Sequence, residues 1–569
     1  MISFIGKNQI KQFFSLNFNI NRQYNKQLKY HQKAQSQFEG KSNQNIIKIY
    51  QQEQQRHLFY QGQYSFNRLR ACARRMEIES DIKITLNEKE KQLFDFLLEF
   101  VKAKNIQVVL RSAGGWVRDK ILGQECHDID ITLDTMTGEQ FINLLIDYLK
   151  EKGQEDLISG HGVIKSNPDK SKHLETVTFK IFGYDIDIAN LRHEEYTKSR
   201  IPTMKFGTPL QDAERRDLTI NSMFYNINTC QIEDFTGKGL SDLQNKIIRT
   251  PLDPTQTFID DPLRILRTFR FATKYSFSIV PDIIEALKQE QIRISLEEKV
   301  SRERIRTELE KILKDKNVEI GLNLIFQNNL WSIVFQMPDK CDELKDKVFY
   351  DQKQLESYNL AIRSVQELKT VQDMPILSQD FQQQDVQLLF LMSAISFPFA
   401  KIQYKINKTI MSLPQYLAFE SLKFPDKALK VCTIITQTCE NALKIQEIIK
   451  KNFDEEFNNI AQLIKKLGNT WELAFSIARI SDSIQFKDEF SSSYDKLIEF
   501  IYFNKIEKVY AMKPLIDGKE IMGIFELDKQ GPVVGKINTN IFLWQAKNMD
   551  KQKDDLIAEI VKNKQKFML

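Results

Sequence analysis

The chain has 569 residues, 42% of them hydrophobic and 28% charged, with a mean hydropathy of −0.40. A soluble multidomain protein is expected, with ample length for several cores. The longest apolar stretch, Leu388 to Ala400, is shorter than the roughly 18 residues that cross a bilayer, so no membrane association is expected. Six cysteines without a CxxC pair, and six histidines that all lie at or before His193, argue against a disulfide scaffold or a zinc site.

The net charge of +5 conceals an uneven split, because residues 1–75 carry 13 Lys/Arg against only Glu39 and Glu53, leaving −6 for the rest. This leader, taken as residues 1–80, also holds 22 Asn/Gln in its first 75 positions. Two readings stand: a basic, acid-poor transit peptide, and a low-complexity tail. From Asn87 the composition becomes that of a folded protein. Asn87 should cap a first helix, a β-like run follows at Ile106 to Leu110, and Gly114-Gly115 opens a second helix that ends at Leu122. Asp128 to Leu133 alternates with period two as a half-buried strand does, a helix spans about Thr137 to Lys150, and two further β-rich runs cover Glu175 to Phe182 and Tyr184 to Leu191. Residues 81–250 thus read as an α+β domain on a small mixed sheet, and beyond Asp261 the pattern is almost entirely helical, with long segments such as Ser301 to Leu313, Asp385 to Phe397 and Ala442 to Lys466.

Neither Gly40-Lys-Ser nor Gly237-Lys-Gly completes a known nucleotide loop. Gly114-Gly115-Trp-Val-Arg118 offers another phosphate device: two glycines let the backbone approach a ligand at a helix start, with Arg118 reaching it from the first turn. Asp128 and Asp130, two apart on a strand, face the same way at about 6–7 Å, a separation divalent ions bridge. Their mutual repulsion calls for a cation. Asp187 adds a third acid on another strand. Together these are the parts of a two-metal nucleotidyl transferase, with Asp128 and Asp130 as metal ligands and Asp187 the third catalytic acid. Downstream, Arg215 and Arg216 supply cations for phosphates, Asp217 and Asn221 can hold ribose hydroxyls, and Asp260-Asp261-Pro-Leu-Arg264-Ile-Leu-Arg267 opens a helix.

In order along the chain, GGWVRDKILG, HDIDITLDTMTG, DIDIANLRHEEYTKSRIPTMKFGTP, ERRDLTINSMFYN, EDFTGKGLSDL, RTPLDPTQTFIDDPLRILRTFRFA and SRERIRTELEKIL resemble the class II CCA-adding enzymes, tRNA nucleotidyltransferases of the polymerase β superfamily. The resemblance implies a nucleotidyltransferase head at 81–250, a helical neck with a nucleotide-selecting helix at 251–330, a helical body at 331–500 and a helical tail at 501–569 that contacts tRNA. It implies template-independent addition of CCA to the 3′ end of tRNA from CTP and ATP with Mg2+, in mitochondrion, cytoplasm or nucleus. Gly114, Gly115, Arg118, Arg216, Asp217, Asn221, Asp261, Arg264 and Arg267 would bind the nucleotide. Cytosine and adenine both present an exocyclic amine beside a ring nitrogen acceptor, so a carboxylate at Asp261 and a guanidinium at Arg264, i and i+3 on one helix face, would accept both and reject uracil and guanine. The competing reading makes Asp261 an N-cap for the backbone N–H of Arg264. Lys198, in the Arg192 to Arg200 loop credited in the family with the switch from CTP to ATP, stands where an acid is expected. A poly(A) polymerase sharing the head, and partial enzymes adding only CC or only A, are the alternatives. On the neck, Arg302, Arg304, Arg306 and Lys311 are candidates to face RNA, and Arg304 could instead pair with Glu308.

Overall fold

The computed structural model describes residues 82–164, 176–195, 203–368, 383–406, 408–425, 429–487, 489–527, 529 and 531–568. The chain divides into two units, Met1–Lys83 and Ile84–Leu569, and nearly all described residues lie in the second. Helix α1 (Glu88–Ala103) starts at the expected cap, where the Asn87 side chain accepts from the Glu90 N–H and Glu90 returns the bond. Strand β1 (Arg111–Ala113) runs into helix α2 (Gly115–Ile121), and β2 (Asp128–Leu133) is followed by helix α3 (Gly138–Lys152), capped by Thr137. Strands β3 (Ser159–Ile164), β4 (Thr176–Ile181) and β5 (Tyr184–Asn190) come next, then a separate pair, β6 (Arg192–Glu195) and β7 (Thr203–Phe206), and after it β8 (Phe224–Asn226) and β9 (Gln231–Glu233).

The seven-stranded sheet has the order β3-β4-β5-β2-β1-β8-β9, and only β2 and β5 are parallel. A parallel pair needs a long crossover, here α3 and the β3–β4 hairpin. Alternation divides the two parallel strands. Ile129, Ile131, Leu133, Ile186 and Ile188 are buried in the core with Leu93, Leu97 and Phe100 of α1 and Phe141 and Leu145 of α3. Asp128, Asp130, Asp185 and Asp187 therefore fall on the other face. The run Ile106 to Leu110 lies outside the sheet ladder, since the N–H groups of Val109 and Leu110 donate to the side chains of Asp134 and Asn228.

After α4 (Pro209–Glu214) come α5 (Pro254–Asp260), α6 (Arg264–Tyr275) and α7 (Arg302–Leu313). The helical expectation for the rest holds with two short exceptions. β10 (Ile247–Ile248) pairs with β11 (Ser278–Ile279), and β12 (Gln403–Ile406) forms a hairpin with β13 (Thr409–Ser412) inside the expected body. The segment Ala442 to Lys466 is two helices, Leu429–Ile448 and Phe453–Leu467, because Asn452 caps the second through the Asp454 N–H. Near the C-terminus, Ile521, Phe525, Ile537, Ile541, Leu556 and Ile560 form a core of their own, and the glycine-rich island supplies helix starts around Asp517 and Gly531. Among the described residues no helix is long and apolar enough to cross a membrane, and five cysteines are free.

Candidate active site

The parallel register of β2 and β5 sets Asp130 directly beside Asp187, and Asp128 beside Asp185. Adjacent strands lie about 4.8 Å apart, so the first pair forms a carboxylate edge. Asp130 and Asp187 line a cavity of about 560 Å³. Asp128, one pleat repeat away at the start of the strand, is exposed like Asp130 but is not part of that lining. Asp187 accepts from the Thr178 hydroxyl at 2.7 Å, and Asp185 is paired with Lys180 at 2.7 Å. Loss of water around Asp130 raises its pKa above the ordinary carboxylate range; Arg216 opposes this, and the neighbouring Asp187 and Asp128 add to it. Such an edge suits a hard cation with oxygen ligands. Among the described residues no three His, Cys, Asp or Glu side chains form a closed metal cage, so a metal here would need oxygens from substrate and water as well.

Opposite the acids stands a cationic wall. Seven arginines and one lysine line the cavity against four aspartates, an excess of positive charge matched to a triphosphate. Asp212, fully buried on α4, organises part of it. Its two oxygens accept from Arg215 at 2.5 and 2.9 Å and from Arg216 at 2.9 and 3.1 Å, and its Oδ1 takes the Arg192 backbone N–H at 3.1 Å. Burial alone would raise Asp212, but the charges of Arg216 and Arg215 outweigh it and hold the group at about 2. One carboxylate between two guanidiniums leaves a net positive charge facing the cavity. Gly114 lies against this assembly at φ +67°, and a Cβ there would sit 2.6 Å from Arg216 Nη1. The positive φ and the close approach both require glycine.

A second set of polar groups is bound into a buried chain. Arg118 donates to Asp119 at 2.8 and 2.9 Å and to the Asn221 side-chain oxygen, with the rings of Phe271 and Tyr275 on its guanidinium at 4.9 and 5.1 Å. Burial opposes its charge, yet Asp119, Tyr275 and Asp217 leave its pKa raised. Asn221 donates to Asp217 at 3.0 Å, and Asp217 also accepts from Arg267 at 2.8 Å and from the Leu218 N–H at 2.9 Å. Burial pushes Asp217 up, but Arg267 and the Asn221 bond bring it to about 2. The Tyr275 hydroxyl donates to Asp119 at 2.7 Å, and Glu308 pairs with Arg270 at 2.5 Å. The side chains expected to reach phosphate or ribose, Arg118, Asp217 and Asn221, thus line the cavity while holding one another in place.

Asp261 and Arg264 share the same cavity, but not one helix face. Asp261 lies outside α6 at φ −136° and ψ 97°, because a residue before proline is driven out of the helical region. Its side chain accepts from the Leu263 N–H at 3.3 Å rather than from that of Arg264, and from Arg304 Nη2 at 3.2 Å. Arg264 is buried and donates to the Arg215 and Thr257 carbonyls at 2.6 and 3.4 Å. Arg304 therefore pairs with Asp261, while Glu308 goes to Arg270. Arg302 is a structural tie, donating to the carbonyls of Ser421, Ile333 and Val334 at 2.6–2.7 Å; Arg306 pairs with Glu310 at 3.0 Å, and Lys311 is exposed.

Gly115, Arg216 and Arg267 also line the cavity, so every nucleotide-binding residue expected from sequence converges there. The sequence reading passes over Asp212, Asp185, Arg270 and Lys274; the spacing of Asp212 from Arg215 and Arg216, i+3 and i+4, was the available signal. Lys198 and the rest of 196–202 lie outside the described residues, as does the leader.

The family described as "Poly A polymerase head domain" matches residues 110–249, and "Probable RNA and SrmB- binding site of polymerase A" matches 276–341. The chain is 34% identical over 525 residues to "CCA tRNA nucleotidyltransferase, mitochondrial" of Saccharomyces cerevisiae, covering 84% of this chain and 93% of that one. It is also 34% identical over 492 residues to "tRNA nucleotidyltransferase cca2" of Schizosaccharomyces pombe, covering 84% and 98%. A Thermotoga maritima CCA-adding enzyme solved with tRNA has the same fold, with a TM-score of 0.56 at 19% identity over 86% of this chain and 98% of that one.

Proposed function

The chain belongs to the CCA tRNA nucleotidyltransferase family, enzymes that add CCA to tRNA from CTP and ATP without a nucleic acid template, and from this we infer how its cavity carries out that reaction. The observation that carries the inference is the meeting, in one cavity, of the Asp130–Asp187 edge, the arginine wall built on Asp212, and the Asp261 and Arg264 side chains. Asp130 would hold Mg2+ from within the cavity and Asp128 from outside its lining, with Asp187 completing the acidic edge. When bound, the metal neutralises phosphate charge and favours ionisation of the RNA 3′-hydroxyl. The chain's own residues do the rest. Arg216 and its neighbours hold the triphosphate and the pyrophosphate that leaves, while Gly114 and Gly115 let the backbone come close to it. Arg118, Asp217, Asn221 and Arg267 form a rigid floor under the sugar. Asp261 accepts from the exocyclic amine of C or A, and Arg264 donates to the ring nitrogen.

The test uses pure protein and tRNA lacking CCA, with labelled CTP and ATP supplied separately and together. CTP alone should give two additions, ATP alone none, and both together the complete CCA end. Runs of A from ATP alone would identify a poly(A) polymerase, and a stop after CC with both substrates a partial enzyme. For location, a mitochondrial pool is supported by the name of the Saccharomyces cerevisiae relative and by the basic, acid-poor residues 1–75. Initiation at Met76 would add a cytosolic or nuclear pool.

A further inference from the structure

The β12–β13 hairpin interrupts a helical region and is not absorbed by the site. Its register pairs Lys405 with Ile410 and Tyr404 with Met411. Paired residues share a face, so Lys405 and Ile410 form one surface, and Tyr404, Ile406, Thr409 and Met411 the other. Tyr404 sets its ring edge-on to Tyr416 at 5.6 Å, on the partly buried side. The other face is open: Ile410 is 66% exposed beside exposed Lys405, with exposed Lys408 at the turn and exposed Lys401 at the base. Among the described residues none of these three lysines has a carboxylate partner, and the sequence has no Asp or Glu between Asp385 and Glu420. An isolated two-stranded hairpin is barely stable in water, so this one depends on its anchorage.

That anchorage leads towards the cavity. The segment after β13 ends at Ser421, which receives Arg302 of α7 through its carbonyl at 2.7 Å and its hydroxyl at 3.1 Å. Two residues further along α7, roughly 200° around the helix at 3.6 residues per turn, Arg304 grips Asp261. One helix thus holds the end of the segment that follows the hairpin on one side and touches the nucleotide cavity on the other.

We propose that the β12–β13 hairpin is an RNA contact that grips the sugar-phosphate backbone of the substrate outside the cavity, Lys401, Lys405 and Lys408 taking phosphates while Ile410 lies against a sugar face. The proposal rests on the tRNA reading above. The charge decides in favour of RNA: three lysines without a carboxylate partner among the described residues, in a stretch of sequence free of acids, suit a polyanion, although Asp339 and Glu420 act on Tyr416 on the hairpin's other face.

The experiment compares the full chain with a K405E/K408E variant, both residues being exposed and outside the cavity. Binding of tRNA lacking CCA is measured across a salt series, and incorporation of CTP and ATP is followed in parallel. The variant should keep its melting temperature and its turnover at saturating tRNA. It should bind tRNA on the order of tenfold more weakly at 0.1 M salt, with a log–log salt slope smaller by about 2. Affinity within twofold and an unchanged slope would overturn the hairpin contact. Wild-type incorporation tests the enzyme reading separately: tRNA bound with hairpin dependence but never extended would refute that reading and leave the RNA contact standing. Retention on phosphatidylserine vesicles that is lost in the variant, with tRNA affinity unchanged, would assign the surface to lipid and overturn the proposal.

Discussion

Asp130 shows what sequence alone supplies and where it stops. The alternation of Asp128-Ile-Asp-Ile already separates acids from core residues, but the pairing of Asp130 with Asp187 depends on a parallel register between strands more than fifty residues apart, which local pattern cannot encode. Because the neighbouring carboxylates Asp187 and Asp128 disfavour the charge on Asp130, removing that charge should not weaken the fold. We predict that Asp128→Ala or Asp130→Ala melts no lower than the native chain and loses on the order of 10²–10³ or more in incorporation of both CTP and ATP. Turnover within threefold of wild type would reject the metal assignment. Asp212 is the opposite case. It belongs to no recognisable motif, yet it fixes two cavity arginines, and only its spacing from them betrays it.

At the scale of elements, Pro262 decides the geometry around Asp261. The i, i+3 spacing of Asp261 and Arg264 suggests one helix face, but the proline drives Asp261 into extended backbone, and convergence comes instead from the turn between α5 and α6 together with Arg304 on α7. The N-cap alternative finds no support at Arg264, whose N–H bonds to the Asp261 main-chain carbonyl. We predict that Asp261→Ala relaxes the exclusion of UTP and GTP by roughly 1–3 kcal/mol per lost contact, read as the ratio of kcat/KM values for CTP and UTP. Unaltered exclusion, with only a lower melting temperature, would limit Asp261 to its contacts with Leu263 and Arg304. Helix positions were legible because caps and periodicity are local; the hairpin inside the helical body was not, since each of its strands, Gln403–Ile406 and Thr409–Ser412, is only four residues long, too short for alternation to stand out.

For the whole molecule, acid sensitivity follows from the buried carboxylates. Asp212 and Asp217 are each held at about 2, below the unfolded value near 4, so the unfolded chain binds protons first as pH falls. Their contribution is complete above pH 4 and is lost between about pH 4 and pH 2, at on the order of 2 kcal/mol for each group. We predict that Asp212→Asn lowers stability at pH 7 and flattens the acid limb of a denaturation series over that window; an acid limb as steep as wild type would contradict the pairing. The uneven charge of the chain yields a second prediction. A protein begun at Met76 should keep full activity, because every cavity residue lies at or beyond Gly114, and should remain in the cytosol while the full-length fusion reaches mitochondria. Identical distributions of the two fluorescent fusions would remove the targeting reading.

The buried chain from Asp119 through Arg118, Asn221 and Asp217 to Arg267 crosses the point where the head-domain match ends, at residue 249. A fragment cut there would keep the whole seven-stranded sheet but leave Asp217 without its guanidinium, Arg118 without its aromatic roof and Asp119 without the Tyr275 hydroxyl. The head is therefore not a self-sufficient module that could be inherited, swapped or expressed alone with its chemistry intact. The floor of its cavity is completed only when α6 is folded against it, so loss of that helix carries loss of the floor with it.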